Sequence, residues 1–153
     1  VNLEDYNGGS FFVFRLAPTD YHRFHAPFDC VVSKRIAGLG DDLYSVKTYA
    51  VNSRVNVLTD NQRVVLFLKS AVFGEVAYIA VGATHVGSIN VSVADGQELK
   101  QNDEVGYFKY GGSTVIMVFP ASAGVQFDED LVANSLKGIE TLIKLGEIGR
   151  AHV

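Results

Sequence analysis

Ser113 ends the run Gly111-Gly112-Ser113, with Thr114 after it, between two strand-like stretches, Val105 to Tyr110 and Val115 to Phe119. A serine hydroxyl is a weak nucleophile until a neighbouring base takes its proton. Preceded by glycine, it can also approach the carbonyl of its own peptide bond, because glycine tolerates strained backbone angles. A base is available in Asp20-Tyr21-His22-Arg23-Phe24-His25. An unperturbed imidazole, with a pKa of about 6.5, is mostly neutral at pH 7 and re-protonates easily. Together, Ser113 with His22 and His25 read as a self-cleaving serine and its base. Plainer readings stand beside this one. Gly-Gly-Ser-Thr also suits a hairpin turn, and two histidines three apart are often surface or structural residues. They also suit a metal pair, but no cysteine or third histidine lies at a familiar ligand spacing, so no metal is expected.

The elements that must hold these residues are mostly strands. Short segments rich in Val, Ile, Phe and Tyr recur between Gly, Asn and Asp turns. The pattern predicts strands near Phe11–Leu16, Val31–Ile36, Leu43–Val46, Val64–Leu68, Glu75–Val81, Gly87–Val93, Glu104–Tyr110 and Thr114–Phe119. Ser88 to Val93 alternates polar and apolar residues, the period-2 mark of a strand with one buried face. Asp60-Asn61 and Ala94-Asp95-Gly96-Gln97 read as turns. Two helical pieces are predicted. One is a single turn over Asp20–Phe24, bounded by Pro18 and Pro27. The other is Asp128–Leu136, with acids in its first turn. The hairpin form Gly96-Gln97-Glu98-Leu99, then Asn102-Asp103-Glu104-Val105-Gly106, looks like that of biotinyl and lipoyl domains. The expected fold is mainly β (β-rich α+β), a barrel-sandwich-like antiparallel β domain with short helices.

Bulk properties narrow the function. The chain has 153 residues, 48% of them hydrophobic and 20% charged. That fits one domain with a real core and argues against disorder. A net charge of −4 does not suggest a nucleic-acid partner, which needs clustered Lys and Arg. Cys30 stands alone, which rules out an internal disulfide and suits a small apolar filler. No run approaches the roughly 20 apolar residues of a membrane-spanning helix.

Five short strings carry a resemblance to a known family. They are Phe14-Arg15-Leu16-Ala17-Pro18 leading into the histidine segment, and Val81-Gly82-Ala83-Thr84 with Val86-Gly87-Ser88-Ile89. Then come Asp103 to Phe108, the Gly-Gly-Ser-Thr run, and Asp128-Glu129-Asp130-Leu131-Val132 with Asn134-Ser135 and Glu140-Thr141-Leu142. In this order and spacing, from about Phe11 to Gly146, they closely resemble the phosphatidylserine decarboxylases, more the eukaryotic type II branch than the mitochondrial or common bacterial one. The resemblance implies that residues 1–146 are a catalytic domain fragment. Cleavage between Gly112 and Ser113 would yield a β-chain part, 1–112, and an α-chain part, 113–146, that stay associated. Ser113 would become a pyruvoyl cofactor, forming a Schiff base with phosphatidylserine and releasing carbon dioxide to leave phosphatidylethanolamine. His25 would be the self-cleavage base and His22 would move protons around decarboxylation. Arg15, Tyr21 and Arg23 are candidates for the lipid phosphate, although simple surface ion pairs are the favoured reading. Asn52 and Arg54 match a polar patch of the family, and His85 looks incidental. A homodimer and an endomembrane location such as Golgi, endosome or vacuole are further implications.

The ends depart from the family. No Pro-x-Asp-Gly segment, the family's source of an Asp-His-Ser triad aspartate, precedes His25, and neither Asp20 nor Asp29 matches it. In the hydrolase triad, losing that carboxylate costs about 10⁴-fold, so the 153-residue chain is expected to process slowly or not at all. Glu147 to Val153 are the residues a widely used sequencing adapter encodes in frame, so 147–153 read as a non-native tail, although a Gly-Glu at this point also fits the family. Two other functions remain open: a pyruvoyl-dependent decarboxylase of a free amino acid, and a non-catalytic biotinyl/lipoyl-like carrier domain, for which Lys109, two residues before Gly111, lacks the exposed hairpin-tip setting of a modified lysine.

Overall fold

A computed structural model describes residues 2–51, 53–83, 89–109, 112–144 and 151–152. The strands in chain order are β1 (Ser10–Leu16), β2 (Arg23–His25), β3 (Cys30–Leu39), β4 (Arg63–Ser70), β5 (Gly74–Val81) and β6 (Ile89–Val91). They continue with β7 (Glu98–Leu99), β8 (Glu104–Phe108), β9 (Ser113–Phe119), β10 (Gln126–Phe127) and β11 (Ala151–His152). Helices are short: α1 (Thr48–Val51), α2 (Val57–Asp60) and α3 (Glu129–Leu136), with 3₁₀ turns at Leu3–Tyr6 and Ala121–Ala123. The predicted mainly-β class is what the molecule has.

Two antiparallel sheets make the body. The larger runs in the order β1-β9-β5-β4-β3-β7 and the smaller in the order β2-β8-β6. Side chains alternate across each strand, so one face of each sheet is apolar and the two faces close on one another. From the larger sheet come Val32, Leu66, Leu68, Tyr78, Ala80 and Val115, and from the smaller Phe24, Val105 and Phe108. Gly106 of β8 is needed for this contact. A Cβ there would sit 2.6 Å from the Phe24 ring and 2.2 Å from the Asn90 carbonyl oxygen.

Two predicted elements are corrected. Asp20–Phe24 is no helical turn: Ala17 to Asp20 form a turn, closed by Asp20 N–H donating to the Ala17 carbonyl (2.8 Å). The Asp20 carboxylate accepts from Ala17 N–H in return (2.7 Å). The chain then extends into β2, because Arg23 and Phe24 pair with Tyr107 and Gly106 of β8. Leu43–Val46 is no strand either. Its backbone is held by a side chain, the buried Asn61 amide, which accepts from Tyr44 N–H (2.8 Å) and donates to the Tyr44 carbonyl (2.9 Å). Val46 drops into a small cluster with Val57 and Ala83. The predicted Gly87–Val93 and Glu104–Tyr110 strands are β6 and β8, while Gly87, Ser88 and Tyr110 lie outside the described residues, as do Thr84, His85, Val86, Gly111 and Asn52. Of the expected tail, Ala151 and His152 are described, and they pair with β10.

Tyr78 ties the sheets together with a polar bond. Its hydroxyl donates to the His25 carbonyl (3.1 Å), and burial pushes its pKa far above the usual phenol value of about 10. A raised folded pKa contributes stability that is full below pH 10 and is lost as pH climbs above it, since only the unfolded chain ionises there. Tyr6, raised to about 12 by burial and by Glu75 and Asp5, acts in the same direction. Tyr78→Phe is expected to cost about 1 kcal/mol at pH 7 through the lost hydrogen bond. It should also lose less stability between pH 10 and 11 than the parent. Denaturant midpoints at the three pH values check both, and parallel pH slopes would contradict the burial argument.

Candidate active site around Ser113

Ser113 opens β9, an inner strand of the large sheet, opposite Leu16 of β1. Alternation puts its side chain on the same face as Val115, toward the core. The residue is fully buried (0% exposed), and among the described residues its Oγ has no hydrogen-bond partner. Leaving a buried hydroxyl unpaired costs about 1–3 kcal/mol, so such a group calls for a reason, and a catalytic role is one. Before it, Gly112 has φ +90°, a left-handed value that side-chain-bearing residues rarely adopt. Among the described residues a Cβ there would meet only Pro18, at 4.0 Å. The demand for glycine is therefore conformational rather than steric.

His22 lies against this junction. Gly112 N–H donates to His22 Nε2 (2.9 Å), and His22 Nδ1 donates to the Asp20 carbonyl (2.6 Å). An N–H can only donate and a carbonyl can only accept, so the ring is in its Nδ1–H tautomer. Two elements bring it there. The Ala17–Asp20 turn swings the chain off β1, and Phe108 N–H donates to the His22 carbonyl (2.9 Å), prolonging the β2–β8 pairing. His25, three residues on, faces elsewhere. Its Nδ1 donates to the Asn102 carbonyl (2.8 Å), and its Nε2 meets the Tyr21 hydroxyl (2.9 Å). The rings of Tyr21 and His25 also stack, with centroids 5.7 Å apart.

The arginines are both occupied by carboxylates. Arg15 makes a two-pronged bond to Glu140 (2.6 and 2.7 Å), which raises its pKa. Arg23 reaches Glu104 (2.6 Å) and lies over the Tyr107 ring. Thr114 faces away from Ser113 and, with Val13, Arg15, Val46, Val51, Leu58 and Glu140, lines a cavity of about 70 Å³. Among the described residues no group of three or more His, Cys, Asp and Glu is placed to hold a metal, and no helix is long and apolar enough to cross a membrane. The sequence reading placed Asn61 in a turn and Asn102 in a hairpin, and gave neither a part in holding other residues. Asparagine in a turn is the only signal for Asn102, and nothing in the sequence marks Asn61 as buried.

Ser113, Gly112 and the His22 imidazole thus meet between β1–β2 and β8–β9, while the His25 ring points to Asn102 and Tyr21. The family model for phosphatidylserine decarboxylase matches residues 2–147. Over 139 residues the chain is 49% identical to phosphatidylserine decarboxylase proenzyme 2 of Oryza sativa subsp. japonica, covering 90% of this chain and 22% of that protein. Identity is 45% over 141 residues with proenzyme 2 of Komagataella phaffii, covering 92% and 14%. With the proenzyme of Fusobacterium nucleatum it is 41% over 144 residues, covering 93% and 47%. The chain therefore spans less than half of each of these relatives. A family match over residues 2–147, with 41–49% identity to these relatives, means that the chain belongs to the phosphatidylserine decarboxylase family.

Proposed function

We propose that this chain is the self-processing, catalytic part of a phosphatidylserine decarboxylase, split between Gly112 and Ser113 and acting on phospholipid at a membrane surface. The observation that carries this is the buried Ser113 hydroxyl, without a partner among the described residues, beside a glycine at positive φ. Self-cleavage asks for both features: a hydroxyl committed to no other partner, and a preceding residue that can bend toward it. The Ser113 Oγ adds to the Gly112 carbonyl carbon and the Gly112–Ser113 amide opens, giving an ester and a free Ser113 amine. Removal of the Ser113 Cα proton expels the Gly112 carboxylate by breaking the Cβ–Oγ bond. Water then replaces the nitrogen, which leaves as ammonia. The name proenzyme borne by the relatives agrees with such processing.

The same residues suit a pyruvoyl group. Ser113 would carry it, and when present it supplies the electrophilic carbonyl that accepts the electron pair left by a departing carboxyl. The chain's own part is to hold and to move protons. His25 takes the Ser113 proton during cleavage. His22, in its Nδ1–H tautomer, presents Nε2 to residue 112, and on giving up the Gly112 N–H bond that nitrogen can carry a proton to and from the reacting carbon. The 1–112 and 113–146 parts stay together after cleavage, because β9 remains paired on both sides. Ser113 stands against Leu16 of β1, and Thr114 against Val81 of β5.

The substrate is tested with the chain joined behind a family-type N-terminal portion carrying the Pro-x-Asp-Gly segment. Carbon dioxide release is compared between phosphatidylserine vesicles, free serine and free aromatic amino acids. Turnover of vesicles alone is the expected result. Turnover of a free amino acid instead supports the pyruvoyl enzyme with another substrate. A lysine mass gain without chain breakage marks a carrier domain and removes the proposal.

A further inference from the structure

Among the described residues His25 has no carboxylate partner, yet its ring is held at both nitrogens. The group at Nδ1 is the main-chain carbonyl of Asn102, at 2.8 Å. Asn102 is also, among the described residues, the one non-glycine with positive φ (+73°). The two facts are connected. Lys100 to Asp103 form a turn closed by Asp103 N–H donating to the Lys100 carbonyl (3.0 Å), with Asn102 third in it. A positive φ at that place is the mark of a type II turn, and in this conformation the Asn102 carbonyl faces His25 Nδ1. Asparagine adopts this conformation more readily than other side-chain-bearing residues.

The turn is fixed on two sides. Asn102 N–H donates to the Ala26 carbonyl (2.9 Å) and Ala26 N–H to the Asp103 carbonyl (2.8 Å), locking it to the residue after His25. On the other side, the Asp29 carboxylate accepts from Gln101 N–H and from Lys100 Nζ, both at 2.9 Å. The Asp103 carboxylate accepts from Lys100 N–H (2.7 Å). A carbonyl accepts only, so whatever it faces must be protonated. His25 is therefore held as the Nδ1–H tautomer, with its Nε2 lone pair turned outward.

We propose that Asn102 is a positioning residue: its left-handed backbone aims a main-chain carbonyl that fixes the tautomer and orientation of His25. Part of the duty a triad carboxylate performs is thus met by the Lys100–Asp103 turn. The importance of this for catalysis rests on His25 being the self-cleavage base; the positioning itself does not.

The test reads the imidazole directly. Long-range ¹H–¹⁵N spectra of the labelled 153-residue chain are compared for the parent, Asn102→Gly and Asn102→Val, with His25→Gln to assign the signals. Glycine keeps positive φ at no cost and valine resists it. The parent and Asn102→Gly are expected to show His25 as Nδ1–H. Asn102→Val should show a mixture of tautomers, while His22, held by the Asp20 carbonyl, keeps its signals and reports that the fold is intact. If Asn102→Val fails to fold, Asn102→Ala takes its place with the same expected direction. An unchanged His25 tautomer in the valine or alanine variant overturns the proposal, as does equal disturbance by glycine. In the chain extended by the family-type N-terminal portion, the valine variant should self-cleave at least about 10-fold more slowly, with rescue by glycine. A changed tautomer at an unchanged cleavage rate would count against His25 as the base and leave the positioning by Asn102 standing.

Discussion

Ser113→Ala is expected to leave the chain whole under conditions where the parent sequence, joined to a family-type N-terminal portion, splits into two. Intact-mass spectrometry should show the parent as a chain ending at Gly112 and a second chain beginning with a pyruvoyl-blocked residue. The variant should give a single mass. The loss is complete, because no other hydroxyl occupies the position from which Oγ can reach the Gly112 carbonyl; the next residue, Thr114, alternates to the opposite face. Stability separates this result from misfolding. Alanine removes a buried hydroxyl that has no partner among the described residues, so Ser113→Ala should be as stable as the parent or more stable by about 1 kcal/mol. A variant that stays whole and melts earlier would mean that Ser113 is a structural residue, and a variant that still splits would remove Ser113 from the chemistry. Without an added N-terminal portion, the 153-residue chain should split slowly at best.

How much of this was legible depends on where the backbone's polar groups go. Where strands satisfy one another, as in β3, β4, β5 and β9, the apolar alternation is written in the sequence and their places were predicted closely. Where a side chain takes over the backbone's hydrogen bonds, the pattern misleads. Leu43-Tyr44-Ser45-Val46 looks like a strand, yet the Asn61 amide bonds both backbone groups of Tyr44, a pairing 17 residues apart that no local rule contains. Asp20-Tyr21-His22-Arg23-Phe24 looks like a helical turn until Asp20 is seen capping Ala17 and Arg23-Phe24 is seen pairing with β8. The site divides in the same way. Gly112 and Ser113 are adjacent, so their joint chemistry shows in the sequence. The approach of His22 to Gly112 spans 90 positions, and that of Asn102 to His25 spans 77. Both are made by a carbonyl or an N–H, which every residue owns and no motif distinguishes.

The two histidines should separate in their effects. His25→Ala is expected to slow self-cleavage by about 10²–10⁴, the range of a lost general base. His22→Ala should leave cleavage within about tenfold of the parent and remove decarboxylation. The geometry permits this division although His22 is the ring bonded to residue 112. Its bond is to the Gly112 N–H, not to an atom of the Gly112–Ser113 peptide that breaks. Losing one such hydrogen bond costs about 1 kcal/mol, or roughly fivefold. His25 meets one requirement of a base, a lone pair that can be freed. In its Nδ1–H tautomer the Nε2 holds, among the described residues, only the Tyr21 hydroxyl, and Tyr21 is 50% exposed, so that bond exchanges with water at little cost. Time courses by intact mass measure cleavage, and carbon dioxide release from phosphatidylserine vesicles measures the second reaction. Parent-like cleavage in His25→Ala, together with arrested cleavage in His22→Ala, would reverse the assignment and make the ring beside Gly112 the base.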